Sequence, residues 1–195
     1  ATRGARVLKI HPPIQGVDLL EKRHVRFFRR CAELKVVVMV HTGHEHSAPI
    51  ISAALANPRK LALALDEGCT VVACHSGTGW PTDPSDMLPD FLAMIHKYKN
   101  LWGDTAVLGS AGRVRDMSRL LADSEAKGRL LHGSDFPFPA TPLAFAGTLG
   151  ALKAARLQAI DNQIAQDFAL KDALGIGRAS AERAYRLICE EDSRS

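Results

Sequence analysis

Three short segments of this sequence begin with an apolar run and end on a residue of a type that binds metal ions. The segments are 36–41, which ends on His41, 71–75, which ends on His75, and 130–135, which ends on Asp135. Short, continuous apolar runs rich in valine or leucine are typical of strands that are buried on both faces in a parallel sheet. The sequence therefore predicts three buried strands, each with a candidate metal ligand at its carboxyl end.

Strand and helix patterns alternate along the rest of the chain. The predicted strands are 7–11, 36–41, 71–75, 101–105 and 130–135; the predicted helices are 19–34 after an Asp18 cap, 58–67, 90–98 with an Asp90 cap, 114–126, and several between 142 and 190 with breaks near Gly147, Gly150 and 175–177. This order favours a parallel sheet with right-handed crossovers. The connections that follow the strands are long, whereas those that precede them are short, so functional residues are expected at the carboxyl edge of the sheet.

The separation of the three ligands along the sheet favours a curved one. In a flat sheet with a strand spacing of roughly 4.8 Å they would spread over about 15 Å, too far to share one ion. Curvature into a barrel turns all the carboxyl ends toward one axis. Alternation of side chains also puts His41 on the face of Val37 and Met39, His75 on the face of Val71 and Ala73, and Asp135 on the face of Leu131 and Gly133. We therefore predict an α/β barrel-type fold with all three ligands pointing inward.

In its strand ends and several short segments, the sequence resembles a known family. The strand ends at His41 and His75, the segment 133–137 around Asp135, the opening 7–12 and the segment 181–187 are similar to the amidohydrolase-2 branch of the metal-dependent amidohydrolase superfamily. Its members are (β/α)₈ barrels, and the resemblance implies that residues 1–195 form a single domain holding strands four to eight. The family's His-x-His pair on strand one has no counterpart here. A full barrel takes roughly 250 residues, so a longer chain or a separate polypeptide is expected to supply strands one to three.

The resemblance also implies a role for each ligand. His41 corresponds to a metal-binding histidine on strand five. His75 corresponds to the strand-six histidine, which binds a second metal or orients water and polarises the substrate. Asp135 corresponds to the strand-eight aspartate, which binds metal and acts as the general base. Imidazole and carboxylate ligands suit Zn²⁺, Fe²⁺ or Mn²⁺, and zinc is the expected cofactor.

Three functions remain open on these grounds. The first is hydrolysis of an amide, ester or lactone carbonyl by metal-activated water, with Asp135 and His75 as the catalytic residues. The second is metal-dependent decarboxylation of an unsaturated or aromatic carboxylic acid, for which Arg113 or a loop histidine are candidates for binding the carboxylate. The third is a non-catalytic barrel fragment or a subunit of a split protein.

Composition argues against nucleic-acid and membrane partners and leaves a small-molecule substrate as the expected ligand. The net charge is +4, from 25 basic and 21 acidic residues, without a block of Lys and Arg that would indicate nucleic-acid binding. No apolar run approaches the roughly 20 residues of a membrane span. The four cysteines form no CxxC pair and fall in apolar segments, which predicts buried, reduced thiols and a cytoplasmic location. A homo-oligomer or a complementing N-terminal segment is the expected macromolecular partner.

Several further residues have more than one interpretation. His11 lines a substrate pocket or is a packed strand residue. The loop 44–46 lines the pocket, is simply solvated, or forms a separate metal site with His41. Trp80 and Phe136 cover a substrate or pack loop against loop. Asp104 contacts the metal ligands or simply begins a loop. Alternation predicts that His132 faces the outer helices.

Overall fold

The computed structural model describes residues 4–190, and a five-stranded parallel sheet lies at its centre. The strands are β1 (Val7–Ile10), β2 (Val37–His41), β3 (Val71–Cys74), β4 (Leu101–Asp104) and β5 (Leu130–Leu131). They lie side by side in chain order, and each pairs in parallel with the next. Neighbouring parallel strands cannot be joined by a tight hairpin, so each connection crosses over through helical structure.

Helices pack against one face of the sheet, and the last helix also contributes Leu187 to the opposite face. They are α1 (Pro12–Gln15), α2 (Val25–Glu33), α3 (Ala62–Asp66), α4 (Leu88–Lys97), α5 (Val114–Ala122), α6 (Ser124–Gly128), α7 (Ala146–Leu149), α8 (Ala151–Gln158), α9 (Gln163–Ala173) and α10 (Gly177–Cys189). Short 3₁₀ turns, such as Lys22–His24 and Pro58–Leu61, precede several of them. Within residues 4–190 no helix combines the length and the apolar character needed to cross a membrane.

The two faces of the sheet pack against different residues. Alternate strand residues enter the main core with the helices: Val38, Val40, Val71, Ala73, Leu101 and Leu130. On the opposite face a smaller apolar cluster contains Val37, Val72, Leu131 and Leu187, with Met39 and Trp102 packed against it. His41 lies on this second face because it follows Val37 and Met39 in alternation. The carboxyl end of this face is therefore where the predicted ligands should meet.

Several predicted helix boundaries are wrong, and an aspartate lies at each of them. Asp18 accepts a hydrogen bond from Leu20 N and pairs with Lys60, and helix α2 begins only at Val25. Asp90 lies inside the first turn of α4 instead of capping it. The predicted helix 114–126 is two helices, since the Asp123 side chain accepts from Ala126 N and starts α6.

Two strand ends, one predicted helix break and one cysteine also differ from prediction. Strand β3 ends at Cys74 and β5 at Leu131, so both predicted strands that lead to His75 and Asp135 are shorter than expected. Gly147 does not break the chain's helical structure, because it lies within α7. All four cysteines are free thiols, but Cys189 is exposed, and only the other three are buried.

Candidate active site

A cavity of about 450 Å³ opens at the carboxyl edge of the sheet. The ends of β1 and β2 and the segments that follow β2, β3, β4 and β5 line it. Its lining includes His11, His41, Glu45, His75, Trp80, Arg113, Asp135 and Phe138. A pocket at this edge is where open and closed parallel α/β sheets place their ligands, so it is the candidate active site.

His41 is buried at the centre of the site. Its ring stacks on that of His11 with the centroids 3.9 Å apart, and lies edge-on to that of His75 at 4.8 Å. Its Nε2 is buried and has no hydrogen-bond partner within the described chain. Burial, reinforced by the nearby charges of His75 and His11, lowers the pKa of His41 to about 3. The imidazole is therefore neutral near pH 7, which is the form that binds a metal.

Glu45 and His11 form a second group around the same histidine. Glu45 Oε2 lies 2.8 Å from His11 Nε2 and 3.7 Å from His41 Nδ1. Although burial opposes its ionisation, hydrogen bonds from Ser47 and His11 lower the pKa of Glu45 to about 2. Each of these three residues, His11, His41 and Glu45, offers one ligand atom. The three atoms lie within 4.8 Å of one another, close enough to hold a cation. The sequence alone did not decide whether His11 and Glu45 belong to the site. The signal for His11 is its position directly after a strand.

The flanking histidines of the 44–46 loop turn away from this group. His44 Nε2 lies 3.0 Å from the Ser85 hydroxyl, and His46 Nε2 lies 2.9 Å from Asp83. Glu45 alone of the three contacts His11 and His41.

His75 enters the cavity by a turn and not by strand alternation. Val71 and Ala73 face the helices, so the prediction that His75 shares their inward face was wrong. His75 has a φ of 63° and Ser76 a φ of 52°, values in the left-handed region that few residues other than glycine adopt. Asp104 stabilises the turn, because its Oδ1 accepts hydrogen bonds from the backbone N–H of His75 at 2.7 Å and of Ala106 at 3.1 Å. Asp104 is thus a supporting residue of the site.

Asp135 also reaches the cavity from a turn. Its φ is 61°, and its backbone oxygen accepts a hydrogen bond from Phe138 N. Its Oδ2 lies 4.0 Å from His75 Nδ1, and one third of its side chain is exposed. His41, His75 and Asp135, which come from three separate strand ends, therefore line one cavity.

A buried ion pair lies beneath the Asp135 turn. Lys171 Nζ donates to Asp167 Oδ2 at 2.6 Å and to the Gly133 carbonyl at 2.7 Å. Both side chains come from α9, and that of Lys171 is fully buried. The sequence analysis missed this pair, because an Asp and a Lys four residues apart on a helix usually form an exposed pair. In this fold the pair fixes the backbone that leads to Asp135.

Of the two aromatic residues predicted for the site, one lines the cavity and the other does not. Trp80 lines the cavity, whereas Phe136 is largely exposed and its neighbour Phe138 contributes to the lining instead. His132 faces the helices as alternation predicts, with its ring edge-on to Phe168 and its Nε2 4.0 Å from Asp167.

Burial of His132 makes the stability of the fold depend on pH. Burial first, and then the charge of Lys171, lower the pKa of His132 to about 4, while Asp104 opposes this shift. A histidine in the unfolded chain titrates near 6.5, so between pH 6.5 and 4 the unfolded state binds more protons and stability falls as the pH falls. We expect this one group to remove roughly 3 kcal/mol of unfolding free energy by pH 4.

Chemical denaturation at several pH values measures this effect. His132→Gln should remove that share of the pH dependence. Equal slopes for the wild type and His132→Gln would contradict the expectation.

Comparison with known proteins agrees with this architecture. The sequence model of the amidohydrolase-2 family matches residues 1–187. The chain belongs to the amidohydrolase family. No curated protein sequence matches it.

Two solved structures are similar to this amidohydrolase chain in fold. One is an uncharacterized TIM-barrel protein from Bordetella bronchiseptica, with 17% identity, a TM-score of 0.61 and coverage of 94% of this chain and 58% of the other. The second is described as a candidate 2-pyrone-4,6-dicarboxylic acid hydrolase from Pseudomonas putida, with 17% identity, a TM-score of 0.55 and coverage of 95% and 64%. The amidohydrolase chain thus spans about three fifths of the length of these barrels.

Proposed function

We propose that the cavity catalyses metal-dependent hydrolysis of an amide, ester or lactone carbonyl in a small-molecule substrate. The observation that carries this proposal is the buried Nε2 of His41, which has no hydrogen-bond partner in residues 4–190. A buried polar atom without a partner is costly, and a cation at this position would satisfy it. Membership of the amidohydrolase family supports the reaction class, and the described activity of the Pseudomonas protein is consistent with it.

The donor types in the cavity suit a divalent cation, and among residues 4–190 the ligand atoms of His11, His41 and Glu45 are the ones that lie within 4.8 Å of one another. We propose His41, His75 and Asp135 as its ligands, because two imidazoles and a carboxylate suit Zn²⁺, Fe²⁺ or Mn²⁺. Glu45 faces the other ring nitrogen of His41, as the carboxylates that orient metal-binding histidines do. When bound, such a cation lowers the pKa of water toward about 7 and polarises a carbonyl oxygen.

The residues of the chain supply the remaining steps. Asp135 is partly exposed to the cavity, where its carboxylate can accept the proton of the attacking water and later deliver it to the leaving group. His75, held by the Asp104 contact to its backbone, orients the substrate carbonyl beside it. His11 stacks on the ring of His41, and Glu45 lies beside its Nδ1. Together they fix the orientation of that ring.

Metal content of variants tests this ligand set against the His11, His41 and Glu45 group. In the protein with barrel strands one to three present, we expect Asp135→Asn and His75→Asn to abolish stoichiometric metal binding, and Glu45→Gln, which removes only an orienting contact, to weaken it about 10- to 100-fold. Chelator competition followed by elemental analysis gives these affinities, and His96→Asn, outside the cavity, should match the wild type. The reverse order, with Glu45→Gln the more severe change, would assign the cation to the second group.

We further propose that the five strands correspond to strands four to eight of a (β/α)₈ barrel. The two solved neighbours are longer barrels that this chain covers in part. Residues 1–195 alone should then bind metal weakly, and stable binding should require the three preceding strands. Tight stoichiometric metal in residues 1–195 alone would contradict this proposal.

A turnover screen tests the reaction itself. The protein with its metal is offered lactones, esters and amides in one set and aromatic or unsaturated carboxylic acids in another. Hydrolysis that is lost after chelation and restored by Zn²⁺, Mn²⁺ or Fe²⁺ supports the proposal. Release of CO₂ from the acids would identify a decarboxylase instead, and turnover of neither set would favour a non-catalytic protein.

A further inference from the structure

Thr42 is a buried polar residue that the proposed hydrolysis does not use. It directly follows His41, the last residue of β2, and only 1% of it is exposed. Successive residues at a strand end point to opposite faces, so the Thr42 side chain points away from the cavity that His41 lines, and Thr42 is not part of the cavity lining. Its effect on the site must therefore pass through other residues.

The Thr42 hydroxyl binds both ends of the turn that carries His75. Its Oγ1 donates to the Cys74 carbonyl at 2.7 Å and accepts a hydrogen bond from the Gly77 N–H at 2.9 Å. Between these two positions lie His75 and Ser76, both in the left-handed region. Residues with side chains keep such a conformation only where the surrounding contacts fix it. The two hydrogen bonds of Thr42 are contacts of this kind.

The backbone after Thr42 also packs against this turn. Gly43 has a φ of 86°, and a Cβ there would lie 2.2 Å from the Thr78 carbonyl oxygen, so the position requires glycine. The Thr78 hydroxyl in turn donates to the His75 carbonyl at 2.6 Å. The strand end at Thr42 and the turn at His75 are therefore packed backbone against backbone.

Thr42 connects two proposed ligands of the site. It is joined to His41 by a peptide bond, and its hydroxyl holds the turn of His75, whose ring centroid lies 4.8 Å from that of His41. We propose that Thr42 is a positioning residue that sets the spacing of the His41 and His75 rings, and through it the affinity of the cavity for its cation. Asp104 supports the same turn through the His75 N–H but leaves the Gly77 N–H to Thr42. The effect on the cation rests on the proposed function, whereas the effect on the ring spacing does not.

The Zn²⁺ affinity of two Thr42 variants tests the effect on the cation. Thr42→Val keeps the shape of the side chain but leaves the buried Gly77 N–H without an acceptor, whereas Thr42→Ser keeps the hydroxyl. In the protein with barrel strands one to three present, we expect Thr42→Val to weaken Zn²⁺ binding about 10- to 100-fold, the usual effect of removing a residue that supports a metal ligand. Thr42→Ser should restore most of the affinity. Chelator competition measures both variants.

NMR spectra of the same protein without metal test the ring spacing directly. We expect a nuclear Overhauser effect between the ring protons of His41 and His75 in the wild type and in Thr42→Ser, and its loss in Thr42→Val. Ser180→Ala is the matched control, because it removes a buried hydroxyl that donates to the Gly177 carbonyl at 2.9 Å, outside the cavity lining. Ser180→Ala should keep both the Overhauser effect and the Zn²⁺ affinity of the wild type.

The outcomes separate this proposal from the proposed function. An unchanged Overhauser effect or an unchanged Zn²⁺ affinity in Thr42→Val would overturn the role of Thr42. Fast hydrogen exchange of the Gly77 amide in the folded wild type would overturn it even if Thr42→Val does not fold, and slow exchange would support it. If the wild type binds no Zn²⁺ or hydrolyses no substrate while Thr42→Val loses the Overhauser effect, the proposed function fails and the effect of Thr42 on the ring spacing stands.

Discussion

Replacing Asp135 with asparagine is expected to lower turnover at least about 10³-fold, because the variant loses both a metal ligand and the group that accepts the proton. The fold should tolerate this change. One third of the Asp135 side chain is exposed, and its closest ionic contact, to His75, is at 4.0 Å. We expect the free energy of unfolding to change by about 0.5 kcal/mol or less, as for exposed substitutions elsewhere. Steady-state kinetics with the substrate found in the screen, and chemical denaturation, measure the two effects.

A second aspartate serves as the control for this experiment. Asp161 is exposed in the connection between α8 and α9, away from the cavity, so Asp161→Asn should retain the turnover of the wild type. A normal rate for Asp135→Asn would remove this residue from the mechanism. A large loss of stability would show that its carboxylate has a structural role instead.

Replacing Lys171 with methionine is expected to lower the free energy of unfolding by roughly 3–5 kcal/mol, the usual effect of removing one partner of a buried ion pair. Asp167 would remain buried without its partner at 2.6 Å, and the Gly133 carbonyl would lose its hydrogen bond. Burial already raises the pKa of Asp167 and lowers that of Lys171, so neither group tolerates isolation well. Chemical denaturation near pH 7 measures the loss.

A double variant separates the charge from the packing. Asp167→Leu combined with Lys171→Met removes both charges and should recover much of the stability, since an apolar pair can replace a buried ion pair at little cost. Lys153→Met, on the exposed surface of α8, should change the stability by less than about 0.5 kcal/mol. If Lys171→Met were as mild as Lys153→Met, the Lys171–Asp167 pair would not be what stabilises the turn before Asp135.

The sequence allowed the sheet and part of the site to be predicted, because both follow from local patterns. Apolar runs and the alternation of strands and helices predict a parallel sheet, and the sheet contains five such strands in chain order. His41 continues the alternation of Val37 and Met39, so its direction could be read from the strand itself. The family and the TIM-barrel fold of its solved neighbours agree with the same patterns.

The rest of the site depends on interactions between residues that are distant in sequence. Alternation grouped His75 with Val71 and Ala73, which face the helices, whereas a left-handed turn supported by Asp104 of the next strand directs His75 into the cavity. Lys171 resembles an ordinary surface lysine until the packing of α9 buries it. The buried, unpartnered donors of Arg113 are likewise a property of the folded chain. Single-sequence patterns contain none of these contacts.

Because of their left-handed turns, the site residues His75 and Asp135 lie outside the strands of the sheet. Neither residue belongs to the hydrogen-bonded ladder, so changes in either turn can move a side chain by several ångströms and leave every strand pairing in place. Related chains could therefore acquire different reactions through a few substitutions in these turns and their supports. The sheet would then serve as a common framework for many substrates.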